Sequence, residues 1–220
     1  MGGGQSSTMA HHGGGRIVDV GGRILDGGGR GVGLVVCAPL ALEALALGRW
    51  AHLRVVRTGM GAERSRRAAG LLVREPARAL VVAGFGGAVD PSLEPGDVIV
   101  ADAVVGPDGP RSCESESLAR LLCAEGLRVV VGTIACRDHV VRGKERQALF
   151  DEGACGVDME SAWLARAACG RPFSVVRAVV DTRRQELGHC YATLRAAARA
   201  YRALRRVGRV LGGWASKGEQ

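Results

Sequence analysis

Gly156-Val157-Asp158-Met159-Glu160-Ser161-Ala162, followed by Phe173-Ser174-Val175-Val176-Arg177-Ala178-Val179-Val180-Asp181, is the stretch that decides the fold. Gly156–Met159 and Phe173–Val180 have the length and composition of strands, and Ser161–Cys169 between them suits a helix. Phe173–Val180 is too apolar to be anything but buried. Two carboxyl groups mark the ends of these runs. Glu160 follows the thioether of Met159, and Asp181 ends the second run.

Outward from this unit the same alternation continues. Strands are predicted at Gly33–Cys37, Leu53–Arg57, Ala79–Phe85, Val98–Val104 and Arg128–Cys136. Helices are predicted at Ala41–Leu47, Ala62–Arg74, Ser115–Ala124 and Lys144–Asp151. Such alternation predicts an α/β fold with a mostly parallel sheet covered by helices on both faces. The turn Glu94-Pro95-Gly96-Asp97 permits an antiparallel Val98–Val104 and hence a mixed sheet. Residues 1–30 are rich in glycine and are expected to be a flexible segment, in which a full strand at Ile17–Val20 is doubtful. The catalytic body is expected over residues 31–211, with a flexible tail at 212–220.

With 220 residues, one substantial domain is expected rather than two. Hydrophobic residues make up 47% and aromatic residues 4%, which supplies a core but few rings for stacking nucleic-acid bases. No run approaches the ~18 apolar residues of a membrane span. The N-terminus has no apolar signal region, so the expected compartment is the cytoplasm. Seven cysteines without a C-x-x-C pair argue for buried thiols rather than disulfides or structural zinc. No metal or cofactor is expected.

The net charge of +8 is concentrated near the end of the chain. Residues 183–209 hold eight Arg against one Glu, or +7 of that total. A last helix at about Tyr191–Leu211 would turn Leu194, Ala198, Tyr201, Leu204 and Val207 inward, with Arg195, Arg199, Arg202, Arg206 and Arg209 mainly outward. It docks on the sheet with a solvated basic face, or meets an anionic membrane surface at the inner face of the membrane.

Two glycine-rich stretches suggest nucleotide loops and fail on inspection. In Gly84-Phe85-Gly86-Gly87 the third fingerprint glycine is replaced by Val89, and Asp90-Pro91 stands where a helix should start. Gly143-Lys144 is no P-loop, because Asp138 stands at its first glycine position. Gly84–Gly87 would instead let a ligand approach the backbone closely.

The order of motifs resembles the purine nucleoside phosphorylase and methylthioadenosine/S-adenosylhomocysteine nucleosidase superfamily. The likeness is carried by Thr58-Gly59-Met60-Gly61, Gly84-Phe85-Gly86-Gly87, Leu93-Glu94-Pro95-Gly96-Asp97, Val157-Asp158-Met159-Glu160-Ser161 and Phe173–Asp181. It implies a three-layer α/β/α fold around a mixed, barrel-like sheet and cleavage of an N-ribosidic bond. By this resemblance Glu160 binds ribose hydroxyls, Met159 packs on the sugar, and Asp181 protonates the departing purine. Glu43 positions nucleophilic water, Val140 and Val141 line the base pocket, and Phe85, Gly86 and Gly87 contact the substrate. Asp181 would need a raised pKa, for which Ala178-Val179-Val180 offers apolar surroundings.

Departures from the family pattern narrow the expectation. Ala38-Pro39-Leu40 lacks the arginine that binds phosphate in the phosphorylases, and Phe85 replaces a common serine. Both favour water over phosphate. The segment between Asp102 and Ser115 is short and aromatic-poor, leaving the substrate's 5′ end open. In this the chain looks most like the hopanoid-associated phosphorylases, which implies an adenosine-type nucleoside, adenosylhopane among the candidates. The alternatives are a methylthioadenosine/S-adenosylhomocysteine nucleosidase, a phosphate-dependent phosphorylase, and a non-catalytic nucleoside-binding or membrane-associated module. The resemblance also implies a homo-oligomer.

Overall fold

The structure is a computed structural model and describes residues 17–19, 32–184 and 190–217. In chain order the elements are β1 (Ile17–Asp19), β2 (Val32–Ala38), α1 (Ala41–Leu47), β3 (Leu53–Arg57), α2 (Ala62–Leu72), β4 (Ala77–Ala88) and β5 (Val98–Gly106). There follow β6 (Gly109–Ser112), α3 (Glu116–Ala124), β7 (Val129–Cys136), α4 (Gly143–Asp151), β8 (Ala154–Asp158), α5 (Ser161–Ala165), a 3-10 turn (Arg166–Ala168), β9 (Phe173–Asp181) and α6 (Cys190–Lys217).

The predicted mixed, barrel-like sheet is present. β4 pairs with β9 in parallel and with β8 antiparallel; β8, β7 and β5 continue in parallel, and β5 returns antiparallel to β9. These five strands close a ring, and β2, β3 and β1 extend it from β4 as a parallel flange. Strands covered on both faces need apolar side chains in both directions. Accordingly Val35 and Cys37 of β2 enter one core with α2 and α5, and Leu34, Val36 and Ala38 enter the other with α1, α3 and α6. Three layers result.

Several boundaries differ from the sequence reading. β1 pairs in parallel with β3, although a strand there was doubtful from sequence; the rest of the glycine-rich segment lies outside the described residues. β4 runs through Gly84–Gly87, because those residues pair with β9 and β8 instead of forming a loop. Ser161–Cys169 is an α-helix only to Ala165 before tightening into the 3-10 turn.

Helix α6 runs past the expected Leu211 boundary to Lys217, with Ala215 buried. Its inward face is also rotated from the expected one. Ala196, Ala200, Ala203, Leu204, Val207 and Leu211 are buried, while Leu194 is 71% exposed. The cause is close packing at two glycines. A Cβ at Gly208 would collide with the Leu47 backbone, and one at Gly212 with the Trp50 ring. Arg195, Arg199, Arg202, Arg205 and Arg209 face solvent, whereas Arg206 donates to the Glu125 carbonyl. Among the described residues no helix is long and apolar enough to cross a membrane.

Candidate active site

The ends of β8 and β9 meet the glycine-rich end of β4, and the centre of this junction is Arg177. Its side chain is 1% exposed. Burying a guanidinium is costly unless carboxylates and hydrogen bonds surround it. Here Nε donates to Asp158 Oδ2 at 2.8 Å, and Nη2 lies 2.6 Å from the same oxygen. Nη2 also reaches Glu160 Oε2 and Ser161 Oγ, both at 3.3 Å. Burial works against the charge, yet Asp158, Glu160 and Glu43 together hold it above the ordinary arginine value.

Asp158 organises the turn that aims Glu160. Its Oδ1 accepts the amides of Glu160 and Ser161 at 3.2 Å, and the Ser161 hydroxyl donates to Oδ2. The start of α5 is therefore capped by Asp158. Glu160 is left to turn away from its own helix, and its Oε1 accepts the Gly61 amide at 2.9 Å. Burial pushes the Glu160 carboxyl group above its ordinary value, Arg177 opposes this, and Asp158 adds to it.

Glu43 enters the same cluster from α1. Its Oε2 accepts the Leu40 amide at 2.6 Å, capping the helix start, and its Oε1 accepts the Phe85 amide at 2.6 Å. Each oxygen keeps a second acceptor position. Burial raises its pKa from 4.5 to about 7, against the lowering pull of Arg177 and the two amides.

Asp181 is not in the purely apolar surroundings read from Ala178-Val179-Val180. Arg146 of α4, 2% exposed, forms a buried ion pair with its Oδ2. The arginine is fixed by Nε donating to the Val141 carbonyl at 3.1 Å and Nη1 to the Ala88 carbonyl at 3.3 Å. A positive charge thus stands beside the carboxyl group, which the local sequence did not reveal.

The glycines of β4 make room for these groups. A Cβ at Gly84 would meet Glu43 and Arg177, one at Gly86 would meet the Arg177 stem, and one at Gly87 would lie 2.9 Å from both Arg146 Nη2 and Asp181 Oδ1. The space that side chains at these positions would take is filled by Glu43, Arg177, Arg146 and Asp181. Phe85 is half-buried, with its amide on Glu43 and its carbonyl 3.4 Å from Arg177 Nη1. Met159 is half-buried beside Glu160. Val140 and Val141 separate: Val140 is 49% exposed, while Val141 packs in a small core with Val89, Leu149 and Val157. Only the carbonyl of Val141 serves the site, through Arg146.

The short Asp102–Ser115 segment forms a hairpin of β5 and β6, with Gly109 at φ 90° in its turn. Asp108 at its tip pairs with Arg166, and Gly106 passes so close to Ala162 that a Cβ would not fit. This segment is pinned to the end of α5.

Arg177, Arg146 and Asp158 were not singled out from sequence. Arg177 carries the clearest missed signal, because a charge inside Phe173–Val180 demands buried partners.

The model of the phosphorylase superfamily matches residues 42–212. No curated protein sequence matches the chain. Among solved structures, S-adenosylhomocysteine nucleosidase from Streptococcus pyogenes is 23% identical with a TM-score of 0.66, covering 84% of this chain and 97% of its own. The methylthioadenosine/S-adenosylhomocysteine nucleosidase of Campylobacter jejuni is 16% identical, with a TM-score of 0.68 and coverage of 83% and 100%. Futalosine hydrolase of Helicobacter pylori is 18% identical, with a TM-score of 0.67 and coverage of 86% and 99%. The closed mixed barrel and the family match over most of the chain lead to one conclusion: this protein belongs to the phosphorylase superfamily.

Proposed function

We propose that the protein cleaves the N-ribosidic bond of an adenosine-type purine nucleoside and releases adenine. The observation that carries this reading is the pair of carboxyl groups, Glu160 at the start of α5 and Asp181 at the end of β9, held by separate buried arginines. Departure of a purine leaves positive charge on the ribose and negative charge on the base. Glu160 binds the ribose hydroxyls and stabilises the sugar cation, with Met159 against the ring. Asp181, paired with Arg146 at rest, takes up a proton before the chemical step and delivers it to the base, Val140 borders the base, and Glu43 orients the attacking water.

Adenine release from methylthioadenosine, S-adenosylhomocysteine and adenosylhopane, each with and without phosphate, tests this reading. The expected products are adenine and the free sugar, at a rate indifferent to phosphate. The 1-phosphate of the 5′-substituted ribose as product would make the enzyme a phosphorylase, and no adenine from any of the three would sink the proposal. Adenosylhopane belongs in the set through the short β5–β6 segment, which leaves the 5′ side open.

The pH dependence follows from Glu43. Its folded value is raised from 4.5 to about 7, so its contribution to stability is present below about 4.5 and is lost as pH rises through about 7. A water-orienting carboxylate needs the ionised form. The rate kcat/KM is therefore expected to rise through about 7, as stability falls. In Glu43→Gln that limb of the pH–rate profile should vanish; an unchanged profile would remove Glu43 from the water site.

A further inference from the structure

Helices α1 and α6 lie side by side, with α3, in the layer that covers one face of the sheet. The outer side of α1 is apolar although it faces water. Leu42 and Leu45 are 50% and 64% exposed, and their i, i+3 spacing sets them next to each other. Gly208 and Gly212 of α6 meet Leu47 at the end of α1 and Trp50 just beyond it, which marks the side of α6 that α1 covers. Leu194 stands fourteen residues before Gly208, and seven-residue steps return to nearly the same side of a helix. It is about 21 Å up the axis from Gly208, whereas α1, with seven residues, spans only about 10 Å. Leu194 therefore projects past the end of α1, which accounts for its exposure.

The helix that frames these leucines has no Asp or Glu between Cys190 and Lys217. Arg195, Arg202 and Arg205 face solvent, and no carboxylate pairs with them among the described residues. Arg205 is one turn before Gly208 and so lies next to α1, while Arg195 and Arg202 share the neighbouring row, seven residues apart. On the far side of α6, Glu125 offsets part of the charge, with a carboxylate oxygen 4.0 Å from Arg209 and its carbonyl on Arg206. The α1 side keeps its full positive charge. Arginines alone would suit any polyanion, and the leucines decide among them. Nucleic acid is held through phosphates and stacked bases, to which exposed leucines add nothing. A second copy of the chain, docked by the same face, would set like charges against each other. An anionic bilayer surface accepts both kinds of side chain. We infer that the α1–α6 face docks peripherally on an anionic lipid membrane, with Leu42, Leu45 and Leu194 entering the headgroup region and Arg195, Arg202 and Arg205 lying on lipid phosphates. Glu43 follows Leu42 on α1 and turns to the site, so docking brings one wall of the site to the lipid surface.

Flotation of the full chain with vesicles of phosphatidylcholine and phosphatidylserine in equal parts, and with phosphatidylcholine alone, tests this. Binding is expected to the mixed vesicles only, and to weaken as salt is added. Arg195→Gln/Arg202→Gln/Arg205→Gln should weaken it on the order of 100-fold, the combined effect of three arginines near the surface, and the corresponding lysine variant should retain it. Leu42→Gln/Leu45→Gln should weaken it by at least about tenfold while leaving the salt dependence in place. All five positions are exposed, and unchanged thermal melting of each variant shows that the fold is intact. No flotation at low salt overturns the inference, as do equal binding to the two vesicles and binding that survives the arginine substitutions. Full binding by the leucine variant removes the leucines from the lipid and likewise overturns it. Two outcomes would assign the face to another occupant: a dimer in light scattering that the leucine variant abolishes, or binding to DNA without binding to vesicles. Flotation is read without turnover, so failure here and failure of the proposed reaction are separate results.

Discussion

Replacing Asp181 by Asn is expected to lower kcat for adenine release by on the order of 10²–10⁴-fold, the range of a lost general acid. The substitution keeps the shape and one hydrogen-bond acceptor but removes the transferable proton. It also leaves Arg146 buried without its carboxylate, since that arginine is 2% exposed and its hydrogen bonds to the carbonyls of Val141 and Ala88 do not neutralise its charge. Thermal melting should therefore fall in the same variant. The two effects separate in Arg146→Gln/Asp181→Asn, where a neutral pair replaces the ionic one. Stability should recover there while turnover stays low. Near-normal turnover in folded Asp181→Asn, or recovery of turnover in the double variant, would take proton delivery away from Asp181.

Arg177→Met should be the most damaging single change to the fold. Methionine fills part of the volume, but Asp158 and Glu160 would lose the cation that both contact, and Glu43 would lose a nearby positive charge. Removing one partner of a buried ion pair typically costs about 3–5 kcal/mol. Three carboxyl groups share this arginine, so the upper part of that range is expected at neutral pH. Acidification should restore part of the loss, because protonated carboxyl groups no longer need the cation. Denaturant unfolding of the wild type and variant at two pH values checks this. A loss below about 1 kcal/mol, the scale of an exposed pair, would mean that water enters and screens the cluster.

The strands were legible because parallel strands buried on both faces read as nearly unbroken apolar runs. Leu53–Arg57 was bounded correctly, and Phe173–Val180 missed only the final Asp181. The β4 glycines were harder. Their composition suggests a loop, and only the pairing of β4 with β9 and β8 shows that they stay in a strand, with Glu43, Arg177, Arg146 and Asp181 filling the vacant space. Arg146 was hidden for another reason. Its helix carries Lys144, Glu145, Arg146 and Gln147 in succession, and no period tells which of them faces inward. In α6, alanines at 196, 197, 198, 200 and 203 permit several inward faces, and the choice is made by where Gly208 and Gly212 fit against α1 and Trp50. Glu160 and Asp181 were chosen from sequence, but their arginine partners come from elsewhere in the chain.

Closure of the ring has a consequence for how chains can meet. An exposed strand edge invites pairing with another molecule, and a closed barrel has none. The sheet as described ends only at β1, three residues long, and at β6, four residues long with Pro110 and Arg111. Proline removes a donor from that rim, and arginine adds charge to it. Extension of the sheet from one molecule to the next is therefore disfavoured at β6.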